Sequence, residues 1–185
     1  VLDGLVFLFC AVSGVEPQSE TNWRLADNYK VPRIGFVNKM DRSGANFYEV
    51  VKDVETKLGS KAIPLQVPIG EEERFKGVVD LITGKAMVWN EDDMGMTFTE
   101  IPVPADLVEI VAEWRGKLLE AVAEYDDTLL EKFFEDPESI SPDEMRIAIR
   151  QAVCDMKFVP MMCGSAFKNK GVQAVLDAVC AFLPS

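Results

Sequence analysis

The chain has 185 residues with 31 acidic and 19 basic side chains, which give it a formal net charge of −12. Its hydrophobic content of 48% is sufficient for a real core, so one domain or two small ones are expected. A chain this acidic repels bare phosphate backbone, so direct RNA binding is not expected. No apolar stretch reaches the ~18 residues of a membrane span, which excludes a membrane-spanning helix from the prediction.

The first part of the chain predicts alternating strands and helices. Residues 4–12 form a nearly continuous apolar run, which is typical of a strand buried on both faces. A helix capped by Ser19 should follow, and Pro32 should mark the entry to a second strand at residues 34–37. Apolar residues at helical spacing then predict a helix that ends at Gly59. This alternation implies parallel neighbouring strands in one sheet.

The second strand leads directly into the segment Asn38-Lys39-Met40-Asp41. An ionised aspartate can accept both N–H donors on the Watson–Crick edge of guanine, whereas adenine offers the wrong pattern of donors and acceptors. Asn38 can brace the loop, and the aliphatic stem of Lys39 can cover the face of the base. On these four residues alone, the alternative is a polar turn after a buried strand.

The next strand of this sheet is expected only at residue 158, about a hundred residues later, so the intervening segment should be an insertion. Its first half predicts antiparallel strands at residues 63–69, 75–82, 86–89 and 97–102, with Thr83-Gly84 as a turn. Its second half predicts helices at residues 106–125, 128–135 and 141–156. The predicted division is residues 1–60 and 157–185 for the main domain and 61–156 for the insert.

The first insert helix combines an apolar stripe with an acidic one. The acidic stripe contains Asp106, Glu109, Glu113, Glu120 and Glu124. A solvated face is the ordinary interpretation of such a pattern, and a docking surface for a partner is the alternative.

A second polar loop, Gly164-Ser165-Ala166-Phe167, follows the strand expected at residue 158. A Ser-Ala turn can present backbone N–H groups to the guanine O6 atom. Because both loops leave carboxyl ends of strands, where ligands of open α/β sheets bind, each supports the interpretation of the other. The four cysteines show no Cys-x-x-Cys spacing, which favours reduced core thiols over a metal site or disulfides.

These segments together resemble bacterial translation elongation factor G, a family of translational GTPases. The resemblance covers nearly the whole chain and is carried by residues 14–21, 38–42, 68–70, 75–81 and 163–172. It implies an α/β fold: a partial P-loop GTPase-type domain with three core parallel strands and an inserted α+β subdomain. It also implies GTP or GDP with Mg²⁺ as ligands of the intact protein, the ribosome as partner, and a cytoplasmic location.

For individual residues, the resemblance implies a guanine site formed by Asn38, Lys39, Asp41, Ser165, Ala166 and Phe167. The acidic stripe becomes a candidate surface for the flexible stalk protein of the ribosome, where complementary charge would aid encounter. No catalytic residue and no metal ligand is predicted.

The sequence lacks a Gly-x-x-x-x-Gly-Lys-Ser/Thr phosphate loop and contains no histidine. We therefore expect the latter part of a GTPase domain, inactive alone. One edge of its parallel sheet, at residues 5–9, should be open, and we expect either self-association through this edge or a rearranged N-terminal strand that covers it. A different class of function is also compatible with these residues: a non-catalytic acidic interaction module, in which both polar loops merely cap the sheet.

Overall fold

The computed structural model describes residues 2–184. Its strands are β1 (Leu5–Cys10), β2 (Arg33–Asn38), β3 (Ala62–Pro64), β4 (Gln66–Ile69), β5 (Gly77–Asp80), β6 (Ala86–Trp89), β7 (Phe98–Ile101) and β8 (Val159–Cys163). Its α-helices are α1 (Pro17–Asn28), α2 (Phe47–Leu58), α3 (Val108–Ala123), α4 (Asp127–Glu135), α5 (Pro142–Cys154) and α6 (Val172–Phe182).

The strands form two separate sheets. One is parallel, in the order β1-β2-β8-β3, and the other is antiparallel, in the order β4-β5-β6-β7. The predicted α/β class, with a parallel sheet and a second antiparallel one, is therefore confirmed. The turn predicted at Thr83-Gly84 is also present, since Gly84 has φ +76° and joins β5 to β6.

The prediction of three parallel strands was wrong, because the parallel sheet has four. The run at residues 63–69, predicted as a single antiparallel strand, divides at Leu65 between the two sheets. Residues 62–64 pair in parallel with β8, whereas residues 66–69 pair with β5. Leu65 joins both sheets by donating its N–H to Met161 and accepting one from Leu81. An apolar run fixes neither strand partners nor their direction, because pairing is decided by distant parts of the chain.

β1 is not buried on both faces as predicted. It lies at one edge of the parallel sheet, as expected, and pairs with β2 alone among the described residues. Phe9 is buried, but Leu8 on the opposite face is 60% exposed. The apolar composition of the run indicated a strand but not how much of each face is covered.

Several helix ends follow from local chemistry. The α2 helix begins after Asn46, whose side chain accepts the N–H of Glu49, and ends at Gly59 with φ +68°. A left-handed residue at this position favours glycine, which confirms the predicted stop. The α5 helix begins directly after Ser141, within one residue of the predicted start at 141, and Ser141 and Glu144 exchange reciprocal hydrogen bonds there.

The first helix begins earlier than predicted. Ser19 lies within α1, which starts at Pro17, and the Ser19 hydroxyl accepts the N–H of Glu16. Proline is favoured at a first helical position because its fixed φ suits the helix and its missing N–H is not needed there. The serine therefore supports the helix start from the third helical position instead of preceding it.

Helices cover both faces of the parallel sheet. Ile34 and Phe36 of β2 belong to a core that also contains residues of α3, α5 and α6. Val37 faces the other side, where the core contains residues of α1 and α2. Because the first core unites the parallel sheet with α3 and α5, these helices and the sheet share one hydrophobic interior. The polar loops at the carboxyl ends of β2 and β8 are built on this packed base.

Candidate guanine-binding site

The two polar loops start side by side. β2 and β8 are parallel neighbours, with Val37 opposite Cys163 in the last registered pair. The following residues therefore leave the same edge of the sheet, where Met40 donates its N–H to the carbonyl of Gly164 at 3.1 Å. This is the edge at which open α/β sheets bind ligands.

Asn38 connects the two loops. Its side-chain oxygen accepts the N–H of Lys39 at 2.8 Å and that of Ala166, 128 positions away, at 2.9 Å. Lys39 has φ +65°, so the chain turns sharply directly after the strand. The bracing role predicted for Asn38 thus has a geometric basis: one amide oxygen fixes both the turn of the first loop and the position of the second.

Asp41 has the chemical state that accepting two N–H groups requires. Its side chain is 18% exposed, and the Lys168 ammonium lies 3.6 Å from its carboxylate. Burial by itself raises the pKa of Asp41. A hydrogen bond from the Ser165 hydroxyl, one from its own backbone N–H and the Lys168 charge outweigh burial and hold this pKa below its usual value of 3.8. The carboxylate is therefore ionised near neutral pH and acts only as an acceptor.

The second loop closes on itself. Ser165 is 2% exposed, and its N–H and carbonyl exchange hydrogen bonds of 2.9 Å with the carbonyl and N–H of Lys170. Since Ala166 donates its N–H to Asn38, both backbone donors predicted for guanine O6 already have partners within the loops. The Phe167 ring is 99% exposed and lies outside this group of hydrogen bonds.

Sequence reasoning missed two lysines of this loop. Lys168 faces the Asp41 carboxylate, whereas Lys170 is 6% exposed and donates its ammonium N–H to the Phe75 carbonyl at 3.1 Å. Both lie in the short segment Lys168-Asn169-Lys170 between the predicted site residues and α6. Their position in this loop was the only available signal, because burial of a lysine depends on contacts distant in sequence.

The acidic stripe of the insert lies at the surface. All five predicted residues are exposed: Asp106, Glu109, Glu113, Glu120 and Glu124. The helix is shorter than predicted, so Asp106 precedes it and Glu124 follows its last residue. The apolar side packs as expected, with Leu118 and Val122 fully buried.

Lysines lie beside part of the stripe. The Glu113 carboxylate is 3.4 Å from the Lys117 ammonium, and that of Glu124 is 3.4 Å from the Lys61 ammonium. The Lys117 ammonium also lies 4.1 Å from the centroid of the Trp114 ring. Within residues 2–184, no lysine or arginine lies within 4.0 Å of the other three carboxylates. The stripe is therefore negative but locally compensated at two of its five positions.

Comparison with known families decides the class of this fold. The family model of the elongation factor Tu GTP-binding domain matches residues 1–185. The chain belongs to the elongation factor Tu GTP-binding domain family.

Named relatives agree with this family. The chain is 69% identical over 185 residues to elongation factor G of Cytophaga hutchinsonii and 63% identical to that of Amoebophilus asiaticus. Both matches cover 100% of this chain but only 26% of the relative, so the chain spans about a quarter of these curated proteins. A crystal structure of a Thermus thermophilus protein aligns with a TM-score of 0.85 at 29% identity, covering 99% of this chain and 27% of that one.

Across residues 2–184, no three His, Cys, Asp or Glu side chains are grouped so that they could hold a metal ion. In the same stretch, no helix combines the length and the apolar character needed to cross a bilayer.

Proposed function

We propose that the loops 38–41 and 165–167 recognise the guanine base in the GTP-binding domain of a translational GTPase of the elongation factor G type. The intact protein would promote movement of tRNA and mRNA through the ribosome with GTP hydrolysis, in the cytoplasm. The observation that supports the proposal best is the Asn38 side chain, which joins both loops next to the ionised Asp41 carboxylate.

Each residue then has a defined role. The Asp41 carboxylate accepts the N1–H and the 2-amino group of guanine, and adenine lacks this pair of donors. The aliphatic stem of Lys39 covers one face of the base. The N–H of Ala166, already donated to Asn38, serves guanine O6 through a shared, three-centre hydrogen bond of a kind common in proteins. Phe167, whose ring is exposed, supplies apolar contact at the rim.

Base recognition alone gives weak binding. A hydrogen bond to a charged group contributes roughly 1.5–3 kcal/mol net. Association costs on the order of 4–15 kcal/mol in lost translational and rotational freedom. GTP and GDP bind the intact protein with Mg²⁺, and the phosphate and metal contacts are not assigned to residues of this chain. We therefore expect the 185-residue chain alone to bind GDP weakly and not to hydrolyse GTP.

The proposal is tested by titrating the isotope-labelled chain with GDP and with ADP and following its amide resonances. GDP should shift the amides of residues 38–41 and 165–167, and ADP should shift them much less. Asp41→Asn should move the preference towards XDP, because xanthine offers a carbonyl where guanine has an amine. Asp177→Asn, the same change on the exposed face of α6, should leave the preference unchanged. Equal responses to GDP and ADP would refute guanine recognition.

A second function, which does not exclude the first, is docking of the ribosomal stalk protein on the acidic stripe. The exposed carboxylates of Asp106, Glu109 and Glu120, which have no basic partner within residues 2–184, favour it. Such a surface would attract a basic partner over a distance and be sensitive to salt. If GDP recognition fails and stalk binding holds, the chain is an acidic interaction module whose polar loops only cap the sheet.

A further inference from the structure

The loop at residues 165–170 contacts the antiparallel sheet through a buried lysine. The Lys170 ammonium donates to the carbonyl of Phe75, which precedes β5, at 3.1 Å. It also lies 3.7 Å from the carboxylate of Glu91, which closely follows β6. A buried ammonium is costly unless it has such partners, so these contacts fix the end of the loop.

A second contact joins the backbones directly. Gly95, in the connection between β6 and β7, has φ +79°. A Cβ atom at this position would lie 2.8 Å from the carbonyl oxygen of Asn169 and 3.1 Å from that of Lys168. The connection therefore lies against the loop with no room for a side chain between them, and its conformation favours glycine.

The same loop positions the candidate base-binding groups. Lys170 exchanges two backbone hydrogen bonds with Ser165, the residue directly before Ala166. Lys168 pairs with the Asp41 carboxylate, and Ala166 donates to Asn38. A displacement at Lys170 or Asn169 would therefore change the surroundings of the candidate base-binding residues Asn38 and Asp41.

We propose that Lys170 and Gly95 are positioning residues for the guanine loops, and that the connection between β6 and β7 sets guanine affinity by ordering residues 165–170. This inference rests on the proposed guanine recognition. Since coupling between sites is reciprocal, a partner that moves the antiparallel sheet would change nucleotide affinity, and nucleotide would change affinity for that partner by the same factor.

A pair of matched glycine substitutions isolates the contact. Gly95→Ala and Gly84→Ala both place a side chain at a left-handed position, with φ of +79° and +76°, but a Cβ atom at Gly84 has no neighbour within 4 Å. Both variants carry the same backbone strain, and only Gly95→Ala pushes against the loop. We expect amide exchange at Ala166 to become about tenfold faster in Gly95→Ala than in Gly84→Ala, because its hydrogen bond to Asn38 opens more often.

A second pair tests the lysine. Lys170→Met keeps the length and apolar stem but removes the ammonium, whereas Lys76→Met makes the same charge change at an exposed position next to the same sheet. Lys170→Met should accelerate exchange at Ser165 and Ala166 by a similar factor and lower the ratio of GDP to ADP affinity. Lys76→Met should change neither. A purely structural effect would shift the unfolding midpoint and leave this ratio unchanged.

The outcomes separate this inference from the proposed function. Equal exchange rates in the two glycine variants, or an unchanged ratio of GDP to ADP affinity in Lys170→Met, would overturn the positioning role. If Lys170→Met does not fold, the glycine pair decides. If the unsubstituted chain shows no GDP-dependent shifts, the guanine proposal fails and nucleotide affinity loses its link to this contact. Exchange in the glycine pair then still shows whether the sheet orders the loop.

Discussion

The candidate guanine-binding loops, residues 38–41 and 165–170, and the acidic stripe along α3 and its two ends are both polar surfaces, but they differ in what fixes their side chains. Asn38 and Ala166 are hydrogen bonded across 128 positions, and Asp41 has partners from the second loop. The stripe has ion pairs at Glu113 and Glu124, and both partners of each pair are substantially exposed. Exposed pairs of this kind contribute little to stability. The side chains of the loops therefore have a defined geometry, whereas the stripe mainly contributes negative charge on one side of the molecule.

This difference determines the specificity that each surface can have. A base is recognised by donors and acceptors at fixed positions, and the hydrogen bonds between the two loops hold Asn38 and Ala166 in such positions. A charged helix face whose side chains move freely attracts a partner over a distance but discriminates weakly. The parallel sheet beneath the loops and the α3 helix beneath the stripe contribute to one hydrophobic core. A substitution in this core should therefore affect the stability of both regions.

The largest effect is expected from the shared core. Leu118 on α3 is fully buried, in the same cluster as Phe36 and Met162 of the parallel sheet. Leu118→Ala should lower the free energy of unfolding by about 2–5 kcal/mol, because it leaves a cavity. Urea unfolding followed by circular dichroism and tryptophan fluorescence should show one shifted transition for both regions.

Leu176→Ala is the matched control, since Leu176 is 53% exposed on α6. Its effect should stay within about 0.5 kcal/mol. Two transitions, of which Leu118→Ala moves only one, would mean that the insert helices unfold independently of the parallel sheet. The loops and the acidic stripe would then belong to two separate folding units.

An intermediate effect is expected from Asn38→Ala. The substitution removes the acceptor for the N–H groups of Lys39 and Ala166 and should cost about 1–3 kcal/mol. Amide exchange at Ala166 should accelerate as well. Asn28→Ala, at the exposed end of α1, should cost almost nothing. If the two variants lose equal stability, the loops are not held together by the Asn38 side chain.

The loop pairing at Asn38 also shows what the sequence could predict. Two polar loops after two apolar strands were enough to place both loops at one edge, because parallel strands in an α/β sheet end on the same side. Helix ends such as Gly59 and Ser141 were predictable for a different reason: their interactions span only a few residues. The position of the loops followed from a general topological rule, and the helix ends followed from a local sequence pattern.

The features that the sequence did not predict depend on contacts between residues distant in the chain. The run at residues 63–69 was assigned to one strand, although Leu65 divides it between two sheets. The contact of Lys170 with Phe75 joins residues 95 positions apart, and nothing in the Lys-Asn-Lys segment distinguishes the buried lysine from the exposed one. Contacts that depend on how two sheets meet cannot be inferred from periodicity or spacing, and the contact of Lys170 with Phe75 is of this kind.

The stability that the ionised Asp41 side chain gives to the loops should depend on pH only in the acidic range. Because the pKa of Asp41 in the folded chain lies below 3.8, its ionisation stabilises the fold fully above that value. This contribution is lost as the pH falls through the lower pKa of the folded state. A carboxyl-carbon NMR titration from roughly pH 2 to 6 should give a midpoint below 3.8, the usual value for an aspartate side chain.

Ser165→Ala should raise this midpoint, because the serine hydroxyl donates to the carboxylate and burial opposes ionisation. Ser43→Ala, an exposed serine two residues after Asp41, is the control and should leave the midpoint unchanged. A midpoint at or above 3.8 in the unsubstituted chain would contradict the proposed role of Ser165 and Lys168 in keeping Asp41 ionised.

Substitutions in the acidic stripe should have the smallest effect on stability but the largest effect on the affinity for a partner protein. Reversing Glu109, Glu113 and Glu120 together to lysine should leave the urea midpoint nearly unchanged, because all three are exposed. The weak, salt-sensitive binding that we propose to the globular domain of the ribosomal stalk protein should nevertheless be weakened further. Reversing Glu49 on α2, Glu73 between β4 and β5 and Asp177 on α6 changes the net charge equally and should preserve most of the binding. If chemical-shift titration shows no response along α3, or if both triple variants bind equally, net charge alone accounts for the attraction, and the stripe is an ordinary solvated face.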